Sequence, residues 1–170
     1  MPNNALSEAL REAYASAPSD IVILHTLELR HPSFIDDDDQ PMAIRVVRDN
    51  QNLTARMEAT APLNAGEMVE FIAMGIDLEV PPVDTAPVPE ISITLDNVSR
   101  EIVTHLDRAA ESQDKIEITY RPYLSDDLEG PQMDPPFTLV LTEVSSDASR
   151  VTGKARMLDV GNKAFPSETY

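Results

Sequence analysis

A chain of 170 residues without a single cysteine is long enough for one well-packed domain, since domains commonly run about 100–150 residues, and it excludes a disulfide scaffold, a thiolate metal site and a cysteine nucleophile. Its 30 acidic and 13 basic residues leave a formal charge of −17, which argues against nucleic-acid backbone binding, where Lys and Arg must displace condensed counterions. The opening Met1-Pro2-Asn3-Asn4 lacks the basic-then-apolar pattern of a secretory leader, and no apolar run approaches the roughly 18 residues of a membrane span; a soluble chain made in a cytoplasm is expected.

In chain order, Leu6, Ala9, Leu10, Ala13, Tyr14 and Ala17 recur at helical spacing, with Asn4 placed to cap and Pro18 to end a helix within residues 1–17. The stripe is narrow and alanine-rich, which suits a peripheral helix lying on this chain's surface or a neighbour's. Residues 21–30 are dense in β-branched side chains and predict a long strand. Residues 31–42, with Asp36-Asp37-Asp38-Asp39 and Pro41, read as a protruding loop. Residues 42–48 read as a second strand, the hairpin partner of the first. A turn at 49–52 precedes two weaker strands at 53–59 and 67–80; the latter places Ile72, Met74, Ile76, Leu78 and Val80 on one face, because side chains alternate along a strand.

The run Pro81-Pro82-Val83-Asp84-Thr85-Ala86-Pro87-Val88-Pro89 cannot enter a sheet interior, since proline has no amide donor. It predicts a second protruding loop over 81–89, either a stiff connection or an arm laid on a neighbouring subunit. Ile91, Ile93 and Leu95 then alternate with Ser92 and Thr94 in a half-buried strand. Asp96 or Asn97 is placed to cap a helix near residues 97–111, in which Val98, Ile102, Leu106 and Ala109 form one stripe. Further strands are predicted at 115–123, 137–144 and 150–158, the last two joined by a short connection at 145–149. Gly153 and Ala155 are small enough for close packing. The tail, 159–170, is irregular, with Phe165 and Tyr170 as docking residues. The whole predicts a single domain over 1–170, mainly β: a mostly antiparallel β-sandwich or partly closed barrel, with an N-terminal helix and one packed helix covering a face or an end.

The residues that could carry chemistry converge on nothing. His25, His31 and His105 have no metal-ligand spacing. There is no Gly-x-Ser-x-Gly elbow and no glycine-rich phosphate loop, and tryptophan is absent, which counts against stacking platforms for sugars or single strands. The Asp36–Asp39 run lacks the alternation and the closing glutamate of a calcium loop and reads as a solvated loop tip. No catalytic residue, cofactor or metal is predicted, and the chain is read as a non-enzyme.

Several blocks, ordered along nearly the whole chain, resemble a family known as a domain of unknown function and encoded in the tail-gene clusters of long-tailed phages, prophages and gene-transfer particles. They are Leu6-Ser7-Glu8-Ala9-Leu10-Arg11-Glu12-Ala13-Tyr14-Ala15; Leu27-Glu28-Leu29-Arg30-His31-Pro32-Ser33-Phe34, followed by Ile44-Arg45-Val46-Val47-Arg48-Asp49; Ile93-Thr94-Leu95-Asp96-Asn97-Val98-Ser99-Arg100-Glu101-Ile102-Val103; and Phe137-Thr138-Leu139 through Gly153-Lys154-Ala155-Arg156, with Phe165-Pro166 near the end. The resemblance implies a structural, tail-tube- or hub-like protein of the virion tail tip, assembled in the host cytoplasm. Its implied partners are itself in a ring and the neighbouring tail-tube, tape-measure and hub proteins; DNA passes without specific binding and no membrane is entered. An acidic channel wall that does not trap phosphate agrees with the charge. The candidate assembly contacts are Leu6, Leu10 and Tyr14 on the first helix; Asp36, Asp37, Asp38 and Asp39; Pro82, Val83 and Pro87; and Phe165 and Tyr170. The competing reading is a tail-associated adaptor or host-surface binder, which predicts exposed loop aromatics.

Overall fold

The computed structural model describes residues 8, 12, 15, 20–79 and 90–157. Alternating apolar residues build β1 (Ile23–Ile35), β2 (Pro41–Arg48), β3 (Leu53–Arg56), β4 (Met68–Glu79), β5 (Glu90–Asp96), β6 (Ile116–Leu124), β7 (Phe137–Ser146) and β8 (Arg150–Met157), and the amphipathic segment after β5 forms α1 (Arg100–Ala110). The strands follow the order β2-β1-β6-β7-β8-β5-β4, antiparallel throughout, and a parallel pairing of β2 with β4, from Val46 opposite Ile72 to Arg48 opposite Met74, joins the two ends. The result is a closed seven-strand barrel. Closure satisfies the backbone groups that an open sheet would leave along its edges, and it settles the sandwich-or-barrel alternative by a contact that no local pattern encodes.

β4 serves three partners in succession. Met68–Phe71 pair with β3, Ile72–Met74 with β2, and Gly75–Glu79 with β5. β3 therefore lies outside the barrel, and with residues 57–67 it forms an outer layer. Inside, Leu27 and Leu29 of β1, Val46 of β2, Ile76 of β4, Ile118 of β6 and Leu141 of β7 belong to one core. Gly153 is required there: a Cβ at that position would lie 2.7 Å from Leu141 Cδ1. The second cluster, Leu24, Val47, Leu53, Ala55, Met57, Ala61, Phe71 and Tyr123, sits between the barrel's outer face and the outer layer.

α1 closes the barrel at the end where β5 finishes and β6 begins. Val98, Ile102, Leu106 and Ala109 are all buried in the main core, as the stripe predicts. The cap is a correction. Ser99, not Asp96 or Asn97, is the N-cap, its Oγ accepting from Ile102 N at 3.4 Å. Asp96 ends β5 and pairs with Arg150, while Asn97 takes φ +61°, a left-handed value that Asn tolerates better than most residues. That residue makes the bend, so the helix starts later than composition suggests.

Segment 31–42 is mostly strand. β1 runs to Ile35 and β2 starts at Pro41, so only residues 36–40 form the connecting turn. Within β4, Met74 and Ile76 are buried as expected, whereas Ile72 and Leu78 are 45% and 37% exposed; Ile72 faces a cleft beside α1. Glu8, Glu12 and Ala15 are helical. The rest of the expected N-terminal helix, Val80, the 81–89 loop and the 159–170 tail lie outside the described residues.

Candidate functional site

The most concentrated chemistry lies between the barrel and its outer layer. Strand register places it. Glu28 of β1 stands directly opposite Arg45 of β2, Arg30 of β1 stands opposite Glu117 of β6, and Arg121 lies on the same face two residues along from Thr119, the partner of Glu28. Arg45 Nε donates to Glu28 Oε2 at 2.8 Å and Arg121 Nη1 donates to Glu28 Oε1 at 3.1 Å. Arg121 then grips Glu58 of the outer layer in a bidentate pair, Nε to Oε2 and Nη2 to Oε1, both at 2.8 Å. Arg30 Nη2 reaches Glu117 at 3.0 Å and donates to Thr119 Oγ1 at 3.2 Å.

Glu28 is fully enclosed and the Arg121 side chain is 1% exposed, so these charges persist only because each is paired and hydrogen-bonded. Burial opposes the charge on Glu58, but the hydrogen bonds and the positive charge of Arg121 prevail and hold its carboxyl below the usual range. Burial likewise opposes the Arg121 charge, and Glu58 and Glu28 overcome it and raise its value. Beside them the Tyr123 hydroxyl donates to Arg56 O at 2.9 Å, and burial pushes its ionisation upward.

The outer layer folds over this ladder through local turn chemistry. Asn64 and Gly66 take φ +55° and +71°, left-handed values suited to Asn and Gly. Met57 N bonds Glu67 O and Gly66 N bonds Glu58 O, so the loop closes on itself while Asn64 Oδ1 accepts from Arg45 Nη2 at 2.8 Å. The arrangement fixes a layer to the barrel. Both oxygens of Glu28 and of Glu58 are engaged by guanidinium groups.

A second pair, His25 and Tyr120, occupies the barrel end away from α1. His25 Nδ1 lies 2.7 Å from the Tyr120 hydroxyl and the rings stack with centroids 5.9 Å apart. Burial, helped by the charge of Arg48, lowers the His25 pKa. His31 bonds Ser33 and the Asp114 carbonyl, and His105 meets the edge of Phe34 from α1. His31 also packs against Phe34, so His31 and His105 flank one ring while His25 lies at the other end of the barrel. Among the described residues no group of three His, Asp or Glu side chains could hold a metal ion.

A groove of about 600 Å³ runs along the outer surface beside the tip of the β1–β2 hairpin, between Pro32, Pro62 and Val140, with Arg30 in its floor and Lys115 on its rim. Of the sequence-predicted contact residues, Asp36, Asp37, Asp38 and Asp39 are described, and they form the exposed tip of that hairpin. Asp36 Oδ1 accepts from Asp38 N and Gln40 N, both at 2.9 Å, and Asp39 takes φ +58°, so the tip is a shaped turn. Leu6, Leu10, Tyr14, Pro82, Val83, Pro87, Phe165 and Tyr170 lie outside the described residues. The Glu28–Arg121–Glu58 ladder was missed, because Glu28 alternates with Leu27 and Leu29 and reads as solvent-facing.

The family described as a domain of unknown function, DUF1833, matches residues 9–170. The chain belongs to this family. No curated protein matches it. The match spans the strands, α1 and the outer layer together, so the DUF1833 domain includes both the barrel and the ladder that fastens its second layer.

Proposed function

We propose that this DUF1833 chain is a structural component of a phage tail tip, a distal-tail or hub-like minor tail protein that forms part of a ring around the DNA channel. It acts by shape and assembly and turns over no substrate. The observation that carries the reading is the disposition of charge. Of the described cations, Arg30, Arg45 and Arg121 are drawn into the interlayer ladder, and Arg56, Arg150, Lys154 and Arg156 are tied to carboxylates on the surface. Basic groups are thereby spent on holding the barrel and its outer layer together. Most of the excess of −17 is left on the outside, where it repels phosphate. A rigid closed barrel with such a surface suits a wall past which DNA slides, and the ordered sequence blocks that resemble tail-cluster proteins point to the same place.

The adaptor reading calls for exposed aromatic side chains on loops. Tyr123 is fully buried and Tyr120 is half-buried against His25, which leaves it without support among the described residues. The deciding experiment is to delete the gene from the particle that encodes it and examine the progeny by electron microscopy and plating. The structural reading expects tails that are absent or unfinished at the tip and a loss of infectivity; complete, infectious particles would end it.

A further inference from the structure

We infer that the N-terminal amphipathic helix lies across the barrel end opposite α1 and covers it with Leu6, Leu10, Tyr14 and Ala17. Its partner is the barrel of its own chain, not a neighbour.

The two barrel ends are finished differently. At one, Val98, Ile102, Leu106 and Ala109 bring α1 down onto the core and are themselves buried in it. At the other, His25, Tyr120, Ile91 and Phe137 are only half-buried. Leu78 continues the inward-facing positions Met74 and Ile76 of β4, and Met157 continues Val151 and Ala155 of β8, yet they are 37% and 50% exposed. The mouth is therefore an apolar surface with no element over it among the described residues, and covering it removes that surface from water. Arg48 stands on the rim beside His25 and is exposed. Its long stem can lie under an apolar cover while the charged end stays in water.

The chain supplies a cover of the right form. Leu6, Leu10, Tyr14 and Ala17 are spaced by four, four and three residues, the same intervals as Val98, Ile102, Leu106 and Ala109 of α1. Glu8, Glu12 and Ala15 are helical and exposed, and at about 3.6 residues per turn they fall on the side away from that stripe. A helix with one solvated face and one apolar stripe buries the stripe. The tether decides which barrel it meets. β1 starts at this end of the barrel. Just before it, Val22 N donates to Ser125 Oγ and Ser125 N donates to Val22 O, both at 2.9 Å, and Ile21 packs against Leu124. From Ala17 to the fixed Val22 the chain reaches at most about 18 Å, which keeps the helix at its own mouth. The segment that leaves the same end after Met157 carries Gly161 and Pro166, which disfavour a helix there.

The absence of cysteine allows a test on the full chain with a single thiol at the mouth, Met157→Cys, and Leu78→Cys as a second probe. Labelling by a maleimide should be slow, and adding Leu10→Glu and Tyr14→Glu should speed it about tenfold or more, because each buried side chain so lost weakens the contact. Ala15→Glu, on the solvated face, should leave the rate unchanged. The protection should also be the same at micromolar and nanomolar protein, since the cover belongs to the same chain. Labelling at both probes that ignores Leu10→Glu and Tyr14→Glu would overturn the cover. Acceleration by Ala15→Glu as well would overturn the assignment of the stripe to the mouth. Protection lost on dilution would show that the helix comes from another copy and would overturn the choice of partner.

Discussion

Glu28 accepts a guanidinium hydrogen bond on each carboxylate oxygen, from Arg121 on one and from Arg45 on the other. A glutamine has the same shape but a single acceptor, so Glu28→Gln would turn an amide N–H toward one of two enclosed guanidinium groups and remove the charge that both need. Breaking a buried pair at one partner costs about 3–5 kcal/mol, a large part of the roughly 5–15 kcal/mol that holds a domain folded. Urea unfolding of Glu28→Gln should show that loss as a lower midpoint at unchanged slope; a loss under about 1 kcal/mol would mean that the ladder behaves as if exposed. Glu58 adds a pH signature. Its folded pKa lies below the usual value, so between the two values the unfolded chain binds more protons. The stabilisation is whole above the usual value of about 4.3 and is lost as pH falls through the folded one. Glu58→Gln should therefore be less stable than the parent at pH 6 and should lose less on acidification below about pH 4.3; equal acid sensitivity would exclude Glu58 as the titrating group.

At the scale of elements, α1 depends on its first turn because it must both start on Ser99 and bury Val98 and Ile102. The Ser99 hydroxyl satisfies one of the amides that a helix start leaves open, and Ser99→Ala should cost about 1 kcal/mol, read as a drop in the thermal midpoint with the barrel's strand signal intact below it. No change would place the cap elsewhere. The strands and α1 were legible because each repeats its own period: Ile93 and Leu95 at every second position, Val98, Ile102, Leu106 and Ala109 along a helical stripe. The cap was misplaced because Asp96 and Asn97 have the right chemistry, while the bend at Asn97 depends on where β5 must stop pairing with β8. The ladder was illegible for a different reason. Alternation separates two faces of a strand but does not say what covers the second, and here β3 and residues 57–67 cover it. A hint was present, since Leu24, Val47 and Tyr123 share the outer face with Glu28 and Arg121, and a solvent face seldom carries that much apolar surface.

For the whole molecule, two kinds of electrostatics oppose each other, and salt separates them. A net charge of −17 on a single barrel domain repels itself over long distances and destabilises the compact state. The surface pairs Arg150–Asp96, Lys154–Glu143 and Arg156–Glu90 pull the other way, each weakly, because solvent and ions screen exposed pairs. The ladder is enclosed and screened much less. Raising NaCl from about 10 mM to about 150 mM shortens the screening length from about 30 Å to about 8 Å, which removes repulsion across the barrel more completely than attraction between touching pairs. The thermal midpoint should therefore rise with salt over this range, and the deficit of Glu28→Gln should stay the same at both ends of it. A midpoint that falls with salt would show that the surface pairs outweigh the repulsion. A deficit that shrinks with salt would show that water and ions reach Glu28, and the outer layer would then have to be opening under native conditions.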